Sequence, residues 1–162
     1  VAHRGEHNNI DLIENTMAAF QKSLESNLYG IEFDIRWTKD LVPIVHHDAD
    51  LSRLFGYNTF ISELNFEDLR KKCPQIPTLA EVTAKFGKKI HFFIELKKER
   101  FKDLEKQKDI LKTILSPMTG VADYHFFSLD AEVFLNFSGF PIGVMYYIAT
   151  LYYAISILKE KS

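Results

Sequence analysis

The feature that most limits what this chain can fold into is its alternation of short apolar runs with stretches of helical periodicity. The runs are Val1–His3, Gly30–Ile35, Val42–Val45, Lys89–Leu96, Tyr124–Ser128 and Pro141–Tyr147. Between them, Glu14–Ser26, Pro77–Phe86 and Phe101–Leu115 read as helices. That rhythm predicts repeated β/α units around a parallel sheet. Six strands with helices between them match most of a (β/α)8, TIM-type barrel. A complete barrel takes ~250 residues, and this chain has 162. The expected fold is therefore α/β, a barrel of this type that is incomplete or truncated after about the sixth strand. Asp50–Pro77 is turn-rich, with a helical turn or two expected at Glu67–Lys71. Pro77 suits a helix start, and Thr78 suits a cap.

A hydrophobic content of 46% is enough for a substantial core in one domain, taken as residues 1–162. The formal net charge is −2 and no long basic stripe is present, so nucleic acid is not an expected partner. The single cysteine, Cys73, excludes an internal disulfide framework and has no ligand set around it. Phe140–Leu158 lacks charged residues and has about the length of a membrane span. Pro141, Gly143 and a β-prone first half favour a buried strand plus a covering helix instead. An incomplete barrel would also leave this surface open to self-association, so a homo-oligomer is a further reading. Val1 begins directly in the first strand. A secretory leader upstream therefore stays open, with the cytoplasm favoured.

Chemistry-bearing residues gather at the ends of the apolar runs. Glu32 and Asp34 lie two apart in a strand, so both carboxylates share one face while Ile31, Phe33 and Ile35 take the other. Two carboxylates aimed at a barrel interior need a neutralising partner, and oxygen ligands suit Mg2+ or Ca2+. An edge strand with one solvated face would carry the same pair, so the pair alone leaves both readings open. Glu95 repeats the pattern, with Lys97 two residues on. Alone, these two read as a self-satisfied ion pair. His3-Arg4-Gly5 ends the first run and offers an imidazole that titrates near neutrality, a planar fork for phosphate, and close backbone approach. His47 closes Val42–His47 at a strand's C-terminal end, where parallel barrels hold their sites. His46 would face the other way, and His7 reads as solvent-exposed.

The ordered series is more specific than any one motif. Ala2-His3-Arg4-Gly5 with Glu14-Asn15-Thr16, then Glu32-Phe33-Asp34 with Thr38-Lys39-Asp40, then Pro43–Asp48 with Leu51-Ser52-Arg53, Ile76–Val82 and Ile94–Lys97, resembles the glycerophosphodiester phosphodiesterases over roughly Val1–Asp130. The resemblance implies that His3 and His47 are general acid and base. It also implies that Glu32, Asp34 and Glu95 hold one divalent cation, Mg2+ or Ca2+, and that Arg4 and Lys97 bind phosphate. The implied reaction is hydrolysis of a small glycerophosphodiester to glycerol 3-phosphate and an alcohol. Two other readings stand beside it: a lysolipid or sphingolipid phosphodiesterase on the same barrel, and a lipid- or partner-binding module without catalysis. Ile13 stands where the family usually has proline, and Leu129 follows Ser128 where phenylalanine is usual.

Overall fold

The computed structural model describes residues 1–137, 139, 140 and 144–147. Five strands run parallel in spatial order: β1 (Ala2–His3), β2 (Gly30–Trp37), β6 (His91–Leu96), β7 (Tyr124–Ser128) and β8 (Met145–Tyr147). Between them come α1 (Met17–Glu25), α4 (Leu79–Phe86), α5 (Leu104–Leu115) and α6 (Ala131–Asn136). This is an arc of a β/α barrel, as the alternation predicts. The expected apolar helix after β8 lies outside the described residues. Among the described residues, no helix is long and apolar enough to cross a membrane.

One predicted barrel strand takes a different part. β3 (Pro43–Val45) pairs antiparallel with β2, Ile35 opposite Val45 and Trp37 opposite Pro43. A parallel return needs a crossover of about a dozen residues or more, and only Thr38–Val42 lies between the two strands. They close a tight turn instead: Leu41 takes φ 64° and its N–H donates to the Thr38 carbonyl at 3.0 Å. The irregular stretch after it also holds more order than its composition suggests. β4 (Asp50–Leu51) and β5 (Tyr57–Phe60) form a small hairpin around α2 (Ser52–Phe55), and α3 (Phe66–Lys72) follows. Ile44, Leu51, Ile61, Leu69, Cys73 and Ile76 pack there as a cluster of their own.

The main core lies between the sheet's outer face and the helices. Ile31, Phe33, Ile35, Phe92, Ile94 and Phe126 meet Phe20 of α1, Val82 and Phe86 of α4, and Leu111 and Leu115 of α5. Period-2 alternation then sends Glu32, Asp34, Phe93, Glu95, His125 and Phe127 to the inner face. The helix entries are well satisfied. The Thr16 hydroxyl accepts from the Ala19 N–H, and Thr78 and Glu81 form a reciprocal capping box. Gly30 lets β2 and β6 approach closely: a Cβ there would stand 2.8 Å from the Phe93 ring and 2.9 Å from the His91 carbonyl oxygen.

Candidate active site

Register decides which side chains meet. Parallel pairing sets Asp34 directly beside Glu95, and His3 beside Glu32. Oxygens of Glu32, Asp34 and Glu95 all lie within 4.8 Å of one another, and the three residues are buried. Lys97 reaches back along its strand to Glu95 Oε1 at 2.7 Å and Asp34 Oδ1 at 2.9 Å. The Arg4 backbone N–H donates to Glu32 Oε2 at 3.0 Å, and its guanidinium Nε stands 3.6 Å from Asp34 Oδ2. Arg4 holds φ 57° and Gly5 φ 76°, so the chain turns sharply where the strand ends. His3 Nε2 lies 3.7 Å from Glu32 Oε2, with its ring largely exposed. Partial burial, then the Arg4 charge, lowers its pKa.

His47 arrives from the antiparallel β3 and not from a barrel strand. The His46 N–H donates to the Asp34 carbonyl at 3.0 Å, which docks this segment against the carboxylate strand. His46 itself is buried, with Nε2 3.2 Å from the Asp50 carbonyl oxygen, so its ring faces away as expected. His47 Nδ1 lies 2.7 Å from Asp48 Oδ1. Asp48 is held ionised against burial by its bonds to Arg53 and His47. An ionised carboxylate only accepts, so Nδ1 carries the proton and Nε2 of neutral His47 is the free nitrogen. Arg36 fixes the backbone behind the ring, donating to the His47 carbonyl from Nε at 3.0 Å and Nη2 at 2.9 Å.

The carboxylate cluster is unbalanced by itself. Burial first, and repulsion by Asp34 second, push Glu32 up to about 8, and its buried Oε1 has no hydrogen-bond partner. Asp34 is drawn below its ordinary range despite burial, because Lys97 and the Asn15 amide favour its anion. Three converging carboxylates with an orphaned oxygen fit a hard divalent cation of the Mg2+ or Ca2+ kind. A cavity of about 550 Å3 adjoins Glu32 and is walled mainly by Phe93, His125, Phe127 and Tyr146.

All seven residues singled out in the sequence thus converge on one place. Around them stand residues to which the sequence assigns no role in the site. Asn15, at φ 56°, donates its amide to Asp34 Oδ2 at 3.0 Å. Glu14 is a buried carboxylate bonded to Arg4 and Arg53. His7 is not free in solvent: it contacts the Gly5 carbonyl at 2.8 Å and lies 3.8 Å from Glu14. His91 and His125 share a 2.7 Å contact on the inner face, which only register between distant strands reveals.

The glycerophosphoryl diester phosphodiesterase family model matches residues 3–134. The chain belongs to that family. A glycerophosphodiester phosphodiesterase of Caldanaerobacter subterraneus is 34% identical over 100 residues, 55% of this chain and 40% of that protein. A human lysophospholipase D is 41% identical over 68 residues, 42% of this chain and 21% of its own length. The crystal structure of a Thermotoga maritima glycerophosphodiester phosphodiesterase superposes with TM-score 0.73 at 27% identity, covering 99% of this chain and 68% of that one. The chain therefore spans less than half the length of these two sequence relatives.

Proposed function

We propose that this chain carries the site of a metal-dependent phosphodiesterase that hydrolyses glycerophosphodiesters to glycerol 3-phosphate and an alcohol. One observation carries the reading: Glu32, Asp34 and Glu95 meet within 4.8 Å, with Lys97, Arg4, His3 and His47 around them. Glu32, Asp34 and Glu95 would hold one Mg2+ or Ca2+, which supplies positive charge against the charge that develops on the phosphate. Arg4 keeps a buried Nε–H without a hydrogen-bond partner, and Lys97 keeps one of its three donors unspent. Both suit phosphate oxygens. His47, with Asp48 behind it to stabilise the imidazolium, takes the proton of the attacking hydroxyl at Nε2. His3, whose lowered pKa makes its protonated form a readier donor, protonates the departing alcohol. Water then opens the cyclic phosphate left by attack of the neighbouring glycerol hydroxyl, giving its proton to His3 while His47 returns its own to the freed hydroxyl.

A second reading has the aromatic cavity beside Glu32 in its favour, since such walls suit an apolar chain and therefore a lysophospholipid. The test measures glycerol 3-phosphate released from glycerophosphocholine, with lysophosphatidylcholine as the competing substrate, in chelator and after adding back Mg2+ or Ca2+. Turnover should vanish in chelator and return with cation, and His47→Ala should lower it by about 10²–10⁴. Activity that survives chelation or that substitution refutes the mechanism. Faster turnover of the lysolipid transfers the assignment to the second reading.

A further inference from the structure

The loops that carry the two histidines are fastened to each other through Glu14 and Arg53, two charges that the chemistry above does not use. Glu14, 3% exposed, sits at the centre. Its Oε1 accepts from Arg4 Nη1 at 3.0 Å and Arg53 Nη2 at 2.6 Å, and its Oε2 accepts from Asn9 Nδ2 at 2.6 Å and Arg53 Nη1 at 3.2 Å. Arg53 turns its Nε the other way, to Asp48 Oδ2 at 2.6 Å. Asp48 Oδ1 then accepts a hydrogen bond from the His47 Nδ1–H. An unbroken line of charge-assisted bonds therefore runs Arg4–Glu14–Arg53–Asp48–His47. The Arg53 and Asn9 bonds keep Glu14 ionised against burial, at about 2.

The geometry points to Arg53 as a positioning residue, anchored on Glu14, that fixes the tautomer and direction of the His47 imidazole relative to Arg4. Three features support this. Arg53 spends its fork on one buried carboxylate and its Nε on a second, so the guanidinium plane is set from both sides. Asp48 touches the ring nitrogen opposite the one that would react, which is where an orienting partner acts. Arg36 already fixes the His47 carbonyl, so the Arg53–Asp48 arm is left to govern the ring and not the backbone.

The role rests on His47 acting as acid and base, and the test separates the two claims. Histidine-labelled protein, saturated with Mg2+, is compared as wild type, Arg53→Ala and Arg53→Lys. Proton NMR follows the His47 Nδ1–H signal, assigned by its loss in His47→Ala, and kinetics follow glycerophosphocholine turnover. Wild type should show a slowly exchanging ring proton. Arg53→Ala should broaden that signal away and lower kcat by about 10–100-fold with KM little changed. Arg53→Lys, which keeps one bond to Asp48, should recover part of both. An unchanged ring signal in Arg53→Ala overturns the proposal, even if the melting temperature or kcat falls. If Arg53→Ala does not fold, Arg53→Lys decides, and a ring signal identical to wild type overturns it. If wild type shows no turnover, the function above fails, while a ring proton that still depends on Arg53 upholds the positioning arm.

Discussion

Replacing Glu32 with glutamine removes a carboxyl that the fold holds at odds with its charge. Without a cation its pKa stands at about 8, against an ordinary value of 4.5. The unfolded chain therefore releases this proton first. Stability is intact below about pH 4.5 and declines as pH rises through 8. At 1.36 kcal/mol per pH unit, that span is worth on the order of 5 kcal/mol. Glutamine keeps a carbonyl oxygen for the Arg4 N–H and carries no charge to desolvate. In chelator at pH 8, Glu32→Gln should melt roughly 10 °C above wild type, and at pH 4.5 the two should coincide. Saturating Mg2+ or Ca2+ should raise wild type and leave the variant nearly unmoved. Circular-dichroism melts across this range provide the assay. Parallel pH trends in the two proteins, or a variant that melts lower at pH 8, would refute the reasoning.

Two further substitutions test how the site is held in place. Gly30→Ala drives a Cβ against the Phe93 ring and the His91 carbonyl oxygen, and should destabilise by about 1–3 kcal/mol; an unchanged melting temperature contradicts that close approach. Thr78→Ala removes one side of the α4 capping box and should lower the urea midpoint by about 1 kcal/mol equivalent with an unchanged m-value. A midpoint equal to wild type would show that the cap contributes nothing.

What could be read from residue order was what period and strand position determine. That Glu32 shares a face with Asp34, and Glu95 with Lys97, was legible because a two-residue repeat at a strand end fixes the face regardless of the rest of the fold. Their roles came only with the family resemblance. β7 was legible to the residue, and Thr78 declared the start of α4. β3 runs opposite to the parallel direction expected of a barrel strand, and the five-residue link Thr38–Val42 is itself a signal that no parallel crossover fits there. The Glu14–Arg53 clasp spans 39 positions and the His91–His125 contact spans 34. Both depend on register and loop path, which local pattern does not encode.

The antiparallel β3 also divides the labour of the site between two cores. The carboxylates stand on the sheet that packs against the main helical layer, while His47 follows a strand that bridges the two, Val45 in the main core and Ile44 in the smaller cluster with Leu51, Ile61, Leu69, Cys73 and Ile76. Small clusters under long excursions open at lower free energy than a central sheet. A subglobal opening of this unit would withdraw the imidazole together with Asp48 and Arg53 and leave the cation ligands assembled. Proton transfer and cation holding would then fail separately as temperature or denaturant rises, with catalysis lost before the cluster of acids comes apart.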